Sequence, residues 1–538
     1  MKLTDKALSW DKVQNSHRLM FLIVLALGLL NFFWGEKVPA GGGFGWDGVN
    51  YAQMVRNLNS MISGGQLSSY YAQRILPSTI VRVMLLFARL PMSNQNIIRA
   101  FELYNLTLLM GACWAWMRVA NKFSLSLAGR WIGFSGIFVN FAISKHAFYY
   151  PVLTDVTAIF IAMLLLLFYV ERKIFALFFT TVIGAFCWPV VSVCGAFLLV
   201  FMGTELPRSA VAPASSTFKV KSLAISRLVR LSGLVVLTLS IIGYIVLVML
   251  GPWSEHACNV PTLMTKAMSP RTLTCNKLLT GLERLFTALP SLFGLLVALA
   301  MLVGSGSFVQ ATLASLRKAR LPLMVMAIAA VLIPFYMVKA ISNPGIANVS
   351  SLLHLIKLAI LPPEGKFLLP IVTLGVYWGP LVLLLILYWE AFCIEARKLG
   401  PGVVAIIGIS LTLSLVGEPR FMTVGWPFLV LGIVLALEAS STKASFKYVL
   451  AALTVLYAQF WMKLNLAPWL SPDYEELLTF PKQVYFMHLG LWMSWWAYCL
   501  QLVVLILSAI WLRKTVLGVG VSGNKCQGRN VVPREVEP

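Results

Sequence analysis

An acidic residue in a glycine-rich segment is the first candidate for chemistry in this chain. Asp47 lies in the run GGGFGWDGVNY, residues 41–51. Glycines on both sides allow the backbone to approach a substrate closely, and the rings of Trp46 and Tyr51 suit a sugar ring or a headgroup. A carboxylate in such a loop can act as a general base. The alternative is a glycine-rich turn in which Asp47 caps the next helix.

Two further acidic residues lie at the boundaries of apolar segments. Asp155 follows the run KHAFYYPVLT and opens an almost wholly apolar stretch, where either Asp155 or Thr154 could cap a helix. Glu418 and Arg420 stand two apart in the run GEPRF. Two interpretations are open: the two side chains bond to each other, or the Arg420 guanidinium binds a phosphate with its planar fork. The histidines show no metal-ligand spacing.

The elements that must position these residues are membrane helices. Of the 538 residues, 59% are hydrophobic and 12% are charged, and the mean hydropathy is +0.82. This much apolar surface excludes a soluble fold, and it also excludes a disordered chain, which needs low hydrophobicity and high charge. The apolar stretches are continuous and Leu-rich rather than alternating, which argues against a β-barrel. We therefore expect an all-α polytopic membrane protein.

Hydropathy predicts about 14 transmembrane helices, within a range of roughly 11 to 14. The segment 80–93 could be a further span, but Arg82 and Arg89 lie seven apart, on one helical face, which favours an amphipathic helix in the interface. The segment 173–203 could be one long helix, and the Trp-Pro pair at 188–189 favours a break. The candidate spans are 19–35, 102–121, 127–148, 155–171, 173–187, 188–203, 230–252, 286–308, 321–340, 367–393, 402–416, 421–440, 448–464 and 491–513.

The Lys and Arg residues of the short loops set the predicted orientation. The net charge of +23 is concentrated in loops between apolar runs, which is the positive-inside pattern and does not indicate nucleic-acid binding. Both termini are then cytoplasmic, and the long loops 36–101, 253–285, 341–366 and 465–490 face outward. The predicted domains are a catalytic module at 1–440 whose outer loop 36–101 contains interfacial helices, C-terminal transmembrane helices at 441–513 and a basic cytoplasmic tail at 514–538.

Two of the eight cysteines, Cys258 and Cys275, flank a polar loop on the predicted outer side. A disulfide between them would persist there, because that side is oxidising. Their separation of 17 residues corresponds to about 3 kcal/mol of stabilisation in the chain-entropy model. The alternative is two free thiols.

Four motifs together resemble those of the GT-C fold glycosyltransferases, integral membrane enzymes that use polyprenyl-phosphate sugar donors. The run WDGVNY at 46–51 is similar to their Trp-Asp-Gly-x-x-Tyr signature, and looks closest to the mannosyltransferase-like branch. The runs YAQRILP at 71–77, YPVLTD at 150–155 and GEPRF at 417–421 resemble three further motifs in the same order. The first motif lacks the Asp-x-Asp of metal-dependent members, so a divalent metal is possible but not supported.

The resemblance implies an inverting, one-step transfer from a polyprenyl-phosphate sugar to a hydroxyl acceptor on a glycan, a lipid or a protein. Asp47 would be the general base, and Asp155 would assist by positioning acceptor or donor. The bilayer would be a bacterial inner membrane or the membrane of the endoplasmic reticulum, with the site on the face opposite the cytoplasm. The implied substrate-binding residues, with Arg420 and Arg74 on the donor phosphate, are Trp46, Tyr51, Arg74, Tyr150, Glu418 and Arg420.

Two other functions remain open at this point. A polysaccharide ligase or polymerase also uses a polyprenyl carrier, but it should depend on Arg and His loops late in the chain, whereas the distinctive motif here is acidic and early. A lipid or solute transporter should have charged residues along the middles of its helices. In this chain only Glu102, Glu390 and Glu438 lie within or near the ends of the predicted spans.

Overall fold

The structure, a computed structural model, is built from helices in the part of the chain that it describes. It describes residues 2–203, 231–246, 270–304, 306–346, 366–440, 444–465, 493 and 495–516. These ranges contain no strand, so the predicted all-α class is confirmed for the described part. The helices up to residue 203 are α1 (Lys2–Trp34), the single turn α2 (Ala40–Gly43), α3 (Asp47–Ser63), α4 (Ser69–Ala72), α5 (Ile75–Phe87), α6 (Asn94–Lys122), α7 (Leu127–Phe138), a π-helix (Ala142–His146), α8 (Ala147–Tyr149), α9 (Asp155–Val170), α10 (Ile174–Gly184) and α11 (Val190–Val200).

The later helices continue the same architecture. They are α12 (Leu231–Val246), α13 (Pro270–Val303), α14 (Gly306–Arg317), α15 (Leu321–Ile341), α16 (Leu369–Trp378), α17 (Leu381–Leu387), α18 (Trp389–Leu399), α19 (Pro401–Ser414), a 3-10 helix (Pro419–Met422), α20 (Trp426–Glu438), α21 (Ala444–Ala458) and α22 (Trp495–Val516). The predicted first outer loop is therefore largely helical, with α3, α4 and α5 inside it.

Four helices in the described part are long and apolar enough to cross a membrane: Lys12–Trp34 of α1, Arg284–Val303 of α13, all of α15, and Trp495–Thr515 of α22. A fifth is present if α7 and the segment Ala142–Tyr149, which bend by 50°, form one span. Other apolar helices, among them α9, α10 and α11, have 10–17 residues, fewer than the roughly 20 that a perpendicular crossing needs. The count of about 14 spans and the orientation of the termini stay predictions.

The segment 367–393, predicted as one span, is not one continuous helix, because the helix breaks twice; its crossing of the membrane stays a prediction. α16 ends before Gly379, whose φ of 83° is readily adopted only by glycine. Pro380 follows and has no N–H to continue the helical hydrogen-bond ladder, so a new helix, α17, starts after it. A second break at Tyr388 separates α17 from α18.

Only the first part of the segment 80–93 is helical, as the end of α5, which has 13 residues and is too short to cross a membrane. Arg82 donates to the carbonyl oxygens of Val55 and Arg56, at 2.6 Å each, and so ties α5 to α3. Arg89 has a φ of 52° and lies beyond the end of the helix. The expectation that Arg82 and Arg89 share one helical face is therefore wrong.

The segment 173–203 breaks at the predicted proline. α10 ends at Gly184, and α11 starts directly after Pro189. The turn between them packs against the first loop, because the N–H of Leu76 donates to the carbonyl of Phe186 at 3.1 Å. This contact brings the following Trp188 to the candidate site.

Two buried tryptophans connect the late motif to the first helices. The rings of Trp378 and Trp426 stack with centroids 4.8 Å apart, and both side chains are fully buried. The Trp378 indole N–H donates to the carbonyl of Pro419 at 2.9 Å. The Trp426 indole N–H donates to the carbonyl of Gly136 at 2.8 Å. These bonds fix the 3-10 helix that contains Arg420 against α7 and α16.

A polar cluster fastens the start of the first loop. The Glu36 carboxylate accepts from the Lys145 ammonium at 2.9 Å and from the backbone N–H groups of Leu464 and Asn465 at 2.9 and 3.1 Å. The N–H of Val38 donates to the carbonyl of Tyr149, the last residue of α8, at 2.9 Å. Residues far apart in sequence thereby hold the entry to the first loop.

Several predictions fall outside the described residues. Cys258 and the side chain of Cys275 are among them, so the disulfide stays a prediction. The same is true of most of the outer loops 253–285, 341–366 and 465–490, and of the tail at 514–538. The division into a module at 1–440 and C-terminal helices also stays a prediction, although α21 and α22 both pack against α16.

Candidate active site

A left-handed glycine turn places Asp47. Gly41, Gly42, Gly43 and Gly45 all have φ between 59° and 94°, a region in which a side chain is strained. The chain leaves this turn and enters α3 with Asp47 as the first helical residue. A carboxylate at this position is stabilised by the partial positive charge of the helix N-terminus.

The Asp47 carboxylate faces two tyrosine hydroxyls. Tyr70 donates to Oδ2 at 3.3 Å, and Tyr71 donates to Oδ1 at 3.5 Å. The Asn50 amide donates to the Tyr71 oxygen at 2.7 Å, which leaves the Tyr71 hydrogen free to point toward Asp47. The N-cap of α3 is Trp46, without a side-chain cap, so the interpretation of Asp47 as a helix cap is wrong.

Both tyrosines are protonated donors at neutral pH. Burial raises the pKa of Tyr70, and the negative charge of Asp47 acts in the same direction. Burial also raises the pKa of Tyr71, again with a contribution from Asp47. Two hydroxyls therefore orient the carboxylate without carrying charge of their own. The long bonds leave room for a substrate hydroxyl to compete for the carboxylate oxygens.

Arg420 connects the first and last motifs. Its Nε donates to Glu418 Oε1 at 2.5 Å, while a terminal nitrogen lies 3.9 Å from Asp47 Oδ2. Both interpretations of the pair therefore hold in part, because Arg420 bonds to Glu418 and still directs its fork toward Asp47. Burial acts to lower the pKa of Arg420, but Glu418, Asp155, Tyr70 and Asp47 outweigh it and hold the pKa well above its ordinary value. The guanidinium is permanently charged.

Asp155 is a buried carboxylate beside this cluster. It is 7% exposed, and neither oxygen has a hydrogen-bond partner in another described residue. Thr154 occupies the N-cap position of α9, but its side chain accepts no hydrogen bond from the helix N-terminus. The interpretation in which the side chain of Thr154 or Asp155 caps the helix is therefore wrong. Asp155 lines a cavity of about 10 Å³ together with His146 and Tyr150, which is room for about one water. The charges of Arg420 and Asp155 also act on each other.

Arg74 is a buried cation stacked between aromatic rings. It is 8% exposed, and its guanidinium carbon lies 4.0 Å from the Tyr70 ring centre and 5.5 Å from that of Trp188. One terminal nitrogen donates to the Tyr70 carbonyl at 3.0 Å. Among the described residues no carboxylate pairs with Arg74. It therefore has the capacity to bind an anion from outside the chain.

Three predicted aromatic contacts need correction or refinement. Tyr51 is 1% exposed with its ring edge-on to Tyr71, so the prediction that it offers a face to a sugar is wrong. Tyr150 is 4% exposed, and its hydroxyl accepts the N–H of Gly48 at 3.2 Å. Tyr150 therefore supports the turn that places Asp47 and does not present a surface for substrate. Trp46 is half-buried against Tyr150, with ring centroids 6.2 Å apart.

The structure thus brings together most residues of the four motifs. Asp47, Arg420 and Glu418 form one chain of contacts, and Asp155 acts electrostatically on the same guanidinium. Sequence reasoning missed Tyr70 and Trp188. The signal for Tyr70 was present, since two consecutive tyrosines precede Arg74 in the second motif. Nothing in the sequence connects Trp188 to that motif.

Within the described ranges, no group of three or more His, Cys, Asp or Glu side chains is placed to hold a metal ion. The residues around Asp47 offer one carboxylate, two hydroxyls and a guanidinium, and the guanidinium would repel a cation. No family model, curated protein or solved structure matches this chain. Functional argument therefore rests on the motifs and on the geometry of this cluster.

Proposed function

We propose that this protein is a membrane glycosyltransferase of GT-C type, which moves a sugar from a polyprenyl-phosphate donor to a hydroxyl acceptor with inversion at the anomeric carbon. The observation that carries the proposal is the contact between Asp47 and Arg420, a carboxylate and a guanidinium separated by 3.9 Å and supplied by the first and last motifs. A base beside a phosphate-binding cation is what this reaction needs.

The proposed step is a single displacement. The acceptor oxygen forms a bond to the anomeric carbon as the bond from that carbon to the donor phosphate oxygen breaks. The acceptor proton passes to the Asp47 carboxylate, and the polyprenyl phosphate leaves with the electron pair of the broken bond. Asp47 is 30% exposed on its side chain, so a substrate hydroxyl can reach it.

Two arginines are available for the leaving phosphate. Arg420 directs a terminal nitrogen into the site while Glu418 holds its Nε, which fixes the plane of the fork. Arg74 is fixed by the Tyr70 ring and carbonyl and has charge that no described carboxylate neutralises. Guanidinium groups held in this way stabilise the charge that develops on phosphate without needing to reorganise.

The acidic residues within helices support a transporter less well than they support a glycosyltransferase. Glu102 pairs with Lys37 and Arg99 at the start of α6, with 3.2 Å to Arg99. Glu438 accepts from the backbone N–H of Ser126 at 3.1 Å, at the far end of α20. Each of these carboxylates is satisfied locally, whereas a transport path would need charged groups facing a shared aqueous route.

The test is transfer by the full-length protein in detergent or nanodiscs. Donors would be dolichyl- and undecaprenyl-phosphate hexoses and pentoses, and octyl glycosides would serve as hydroxyl acceptors. Asp47→Asn should lower turnover by about 10²- to 10⁴-fold, the usual loss on removing a general base, with unfolding temperature and donor binding close to wild type. The matched control is Glu390→Gln, the same chemical change at an exposed position on α18, which should leave turnover unchanged.

Near wild-type turnover by Asp47→Asn would refute the role of Asp47. An equal loss in Glu390→Gln would show that the change acts through folding. Absence of transfer from every donor in the panel would contradict the proposed function itself. Retention of the donor's anomeric configuration in the product would contradict the single displacement.

A further inference from the structure

A second cavity lies at the other ends of the helices that form the candidate active site. It has a volume of about 410 Å³, within the range of small-molecule sites. Three cations line it: Arg172 after α9, and Lys318 and Arg320 between α14 and α15. No acidic residue is among its described lining.

The lengths of α9 and α15 give the separation between this cavity and the Asp47 site. Asp155 is the first residue of α9, and Arg172 lies two residues beyond its end. At 1.5 Å per residue, the 16 residues of α9 span about 24 Å. α15 runs the same distance or more from the cavity to Asn343, whose N–H donates to Leu67 of the first loop at 2.8 Å. The cavity and the candidate active site therefore lie on opposite sides of the helical layer.

The local field in the cavity is positive. Lys318 and Arg320 are exposed and have no acidic partner among the described residues. The carboxylate of Glu171, next to Arg172 in the sequence, is already paired with Arg118 and Lys173, each at 2.7 Å. The N-terminal ends of α10 and α15 also open at the cavity without side-chain caps, and helix N-termini attract anions.

Apart from Ser315, the rest of the described lining is apolar. Ile174, Val200 and Leu323 form much of the wall between the cations and the helical layer. Phe175 and Leu321, next to the lining residues, are exposed to 74% and 73%, as expected of side chains that meet lipid. A ligand that fits must therefore combine an anionic group with an apolar part.

We propose that this cavity binds the phosphate group of an anionic phospholipid, on the face opposite the Asp47 site. The phosphate lies between Lys318 and Arg320, with Arg172 at the edge. The glycerol and the first methylene groups lie against Ile174 and Val200. Soluble phosphate shares the anionic chemistry but has no group to cover this apolar wall.

The experiment measures lipid binding rather than transfer, so its outcome is independent of the proposed activity. Full-length protein in detergent is titrated with dioleoylphosphatidylglycerol, with dioleoylphosphatidylcholine and with inorganic phosphate, and bound lipid is counted by native mass spectrometry. The double variant Lys318→Gln, Arg320→Gln should bind phosphatidylglycerol about 25-fold more weakly, since each cation near an anionic lipid contributes roughly a factor of five. Binding of phosphatidylcholine should be unchanged.

The control is Arg317→Gln, which removes one positive charge from a neighbouring exposed position that does not line the cavity, where each lining cation is expected to contribute a factor of about five. It should bind phosphatidylglycerol like the wild type. A second variant, Ser315→Glu, keeps both cations but places a negative charge in the lining, and it should also weaken binding. Equal affinities of the double variant and Arg317→Gln would overturn the site. Displacement of phosphatidylglycerol by equimolar inorganic phosphate would overturn the assignment to a lipid.

Discussion

At Asp47 the carboxylate is surrounded by groups that orient it and leave it accessible. Tyr70 and Tyr71 reach one oxygen each, and Arg420 approaches the oxygen on the Tyr70 side. A carboxylate that paired directly with the guanidinium at hydrogen-bond distance would be a weaker base, because the salt bridge would stabilise its charged form. At 3.9 Å the two groups are beyond hydrogen-bond distance of each other, so an acceptor hydroxyl or a phosphate oxygen beside the pair can bond to either of them.

Arg420→Lys tests whether the planar fork matters. Arg420 uses Nε for Glu418 and a terminal nitrogen for the site, and the single nitrogen of a lysine cannot occupy both positions of this planar fork. We expect binding of a non-hydrolysable polyprenyl-phosphate analogue to weaken at least about tenfold, the equivalent of one lost charged hydrogen bond. The measurement is a binding isotherm with the analogue.

The control for that change is Arg118→Lys, since Arg118 is an exposed arginine that also pairs with a glutamate, Glu171, at 2.7 Å. It should bind the analogue like the wild type. Unchanged binding by Arg420→Lys would mean that Arg420 serves only to pair with Glu418.

At this scale the sequence motifs predicted which residues would meet, but not how each would be used. Asp47 and Arg420 could be predicted as site residues because few structural roles require a carboxylate or a guanidinium group in these polar loops. Tyr51 and Tyr150 were interpreted as binding faces, yet both are buried supports. The side on which an aromatic ring packs is decided by tertiary neighbours, and the residue type alone does not specify it.

Among the elements, the glycine turn before α3 depends on Tyr150 from the third motif. A Cβ built on Gly45 would lie 2.3 Å from the Tyr150 ring, far inside van der Waals contact. The glycines therefore serve close packing as well as backbone conformation. The sequence suggested close approach to a substrate, whereas the structure shows close approach to another motif.

Gly45→Ala should displace the turn and with it Asp47. Backbone strain alone costs about 1–2 kcal/mol of stability for a side chain at positive φ. We expect Gly45→Ala to lower the unfolding temperature and the transfer activity by more than this strain produces. Gly65→Ala is the matched control, because Gly65 has a similar φ of 62° and its nearest neighbour to a new Cβ is 3.5 Å away. Thermal unfolding of both variants makes the comparison. Equal shifts in the two variants would show that the Tyr150 contact has no energetic role.

For the whole molecule, the contacts among the motifs constrain the topology. Asp47, Glu418 and Arg420 are in one cluster, so the loops that contain them must lie on the same side of any membrane. The N–H of Gly48 also donates to Tyr150, so if α6 and the bent pair of α7 and Ala142–Tyr149 each cross once, α5 cannot cross, in agreement with its 13 residues. Hydropathy could not decide this point, because a short apolar helix and a short span look alike in a sequence window.

Cysteine labelling tests this arrangement in intact cells or sealed vesicles. In a cysteine-free background, Gln66→Cys before α5 and Gln95→Cys after it should both react with an impermeant maleimide added to the side opposite the cytoplasm. Lys122→Cys, at the far end of α6, should react only after permeabilisation. All three positions are exposed in the structure. Labelling of Gln66→Cys and Gln95→Cys from opposite sides would place α5 across the membrane and separate Asp47 from Asp155.

The bonds of Glu36 to Leu464 and Asn465 also have a consequence during biosynthesis. The partners are separated by 428 and 429 residues, so a ribosome adding about 5–20 residues per second makes them roughly 20–90 seconds apart. Throughout that interval the Glu36 carboxylate and its Lys145 partner lack the backbone groups that complete their hydrogen bonding. A nascent chain stopped short of residue 464 would hold the start of its first loop only through Lys145 and the carbonyl of Tyr149, with the two backbone bonds to Glu36 missing.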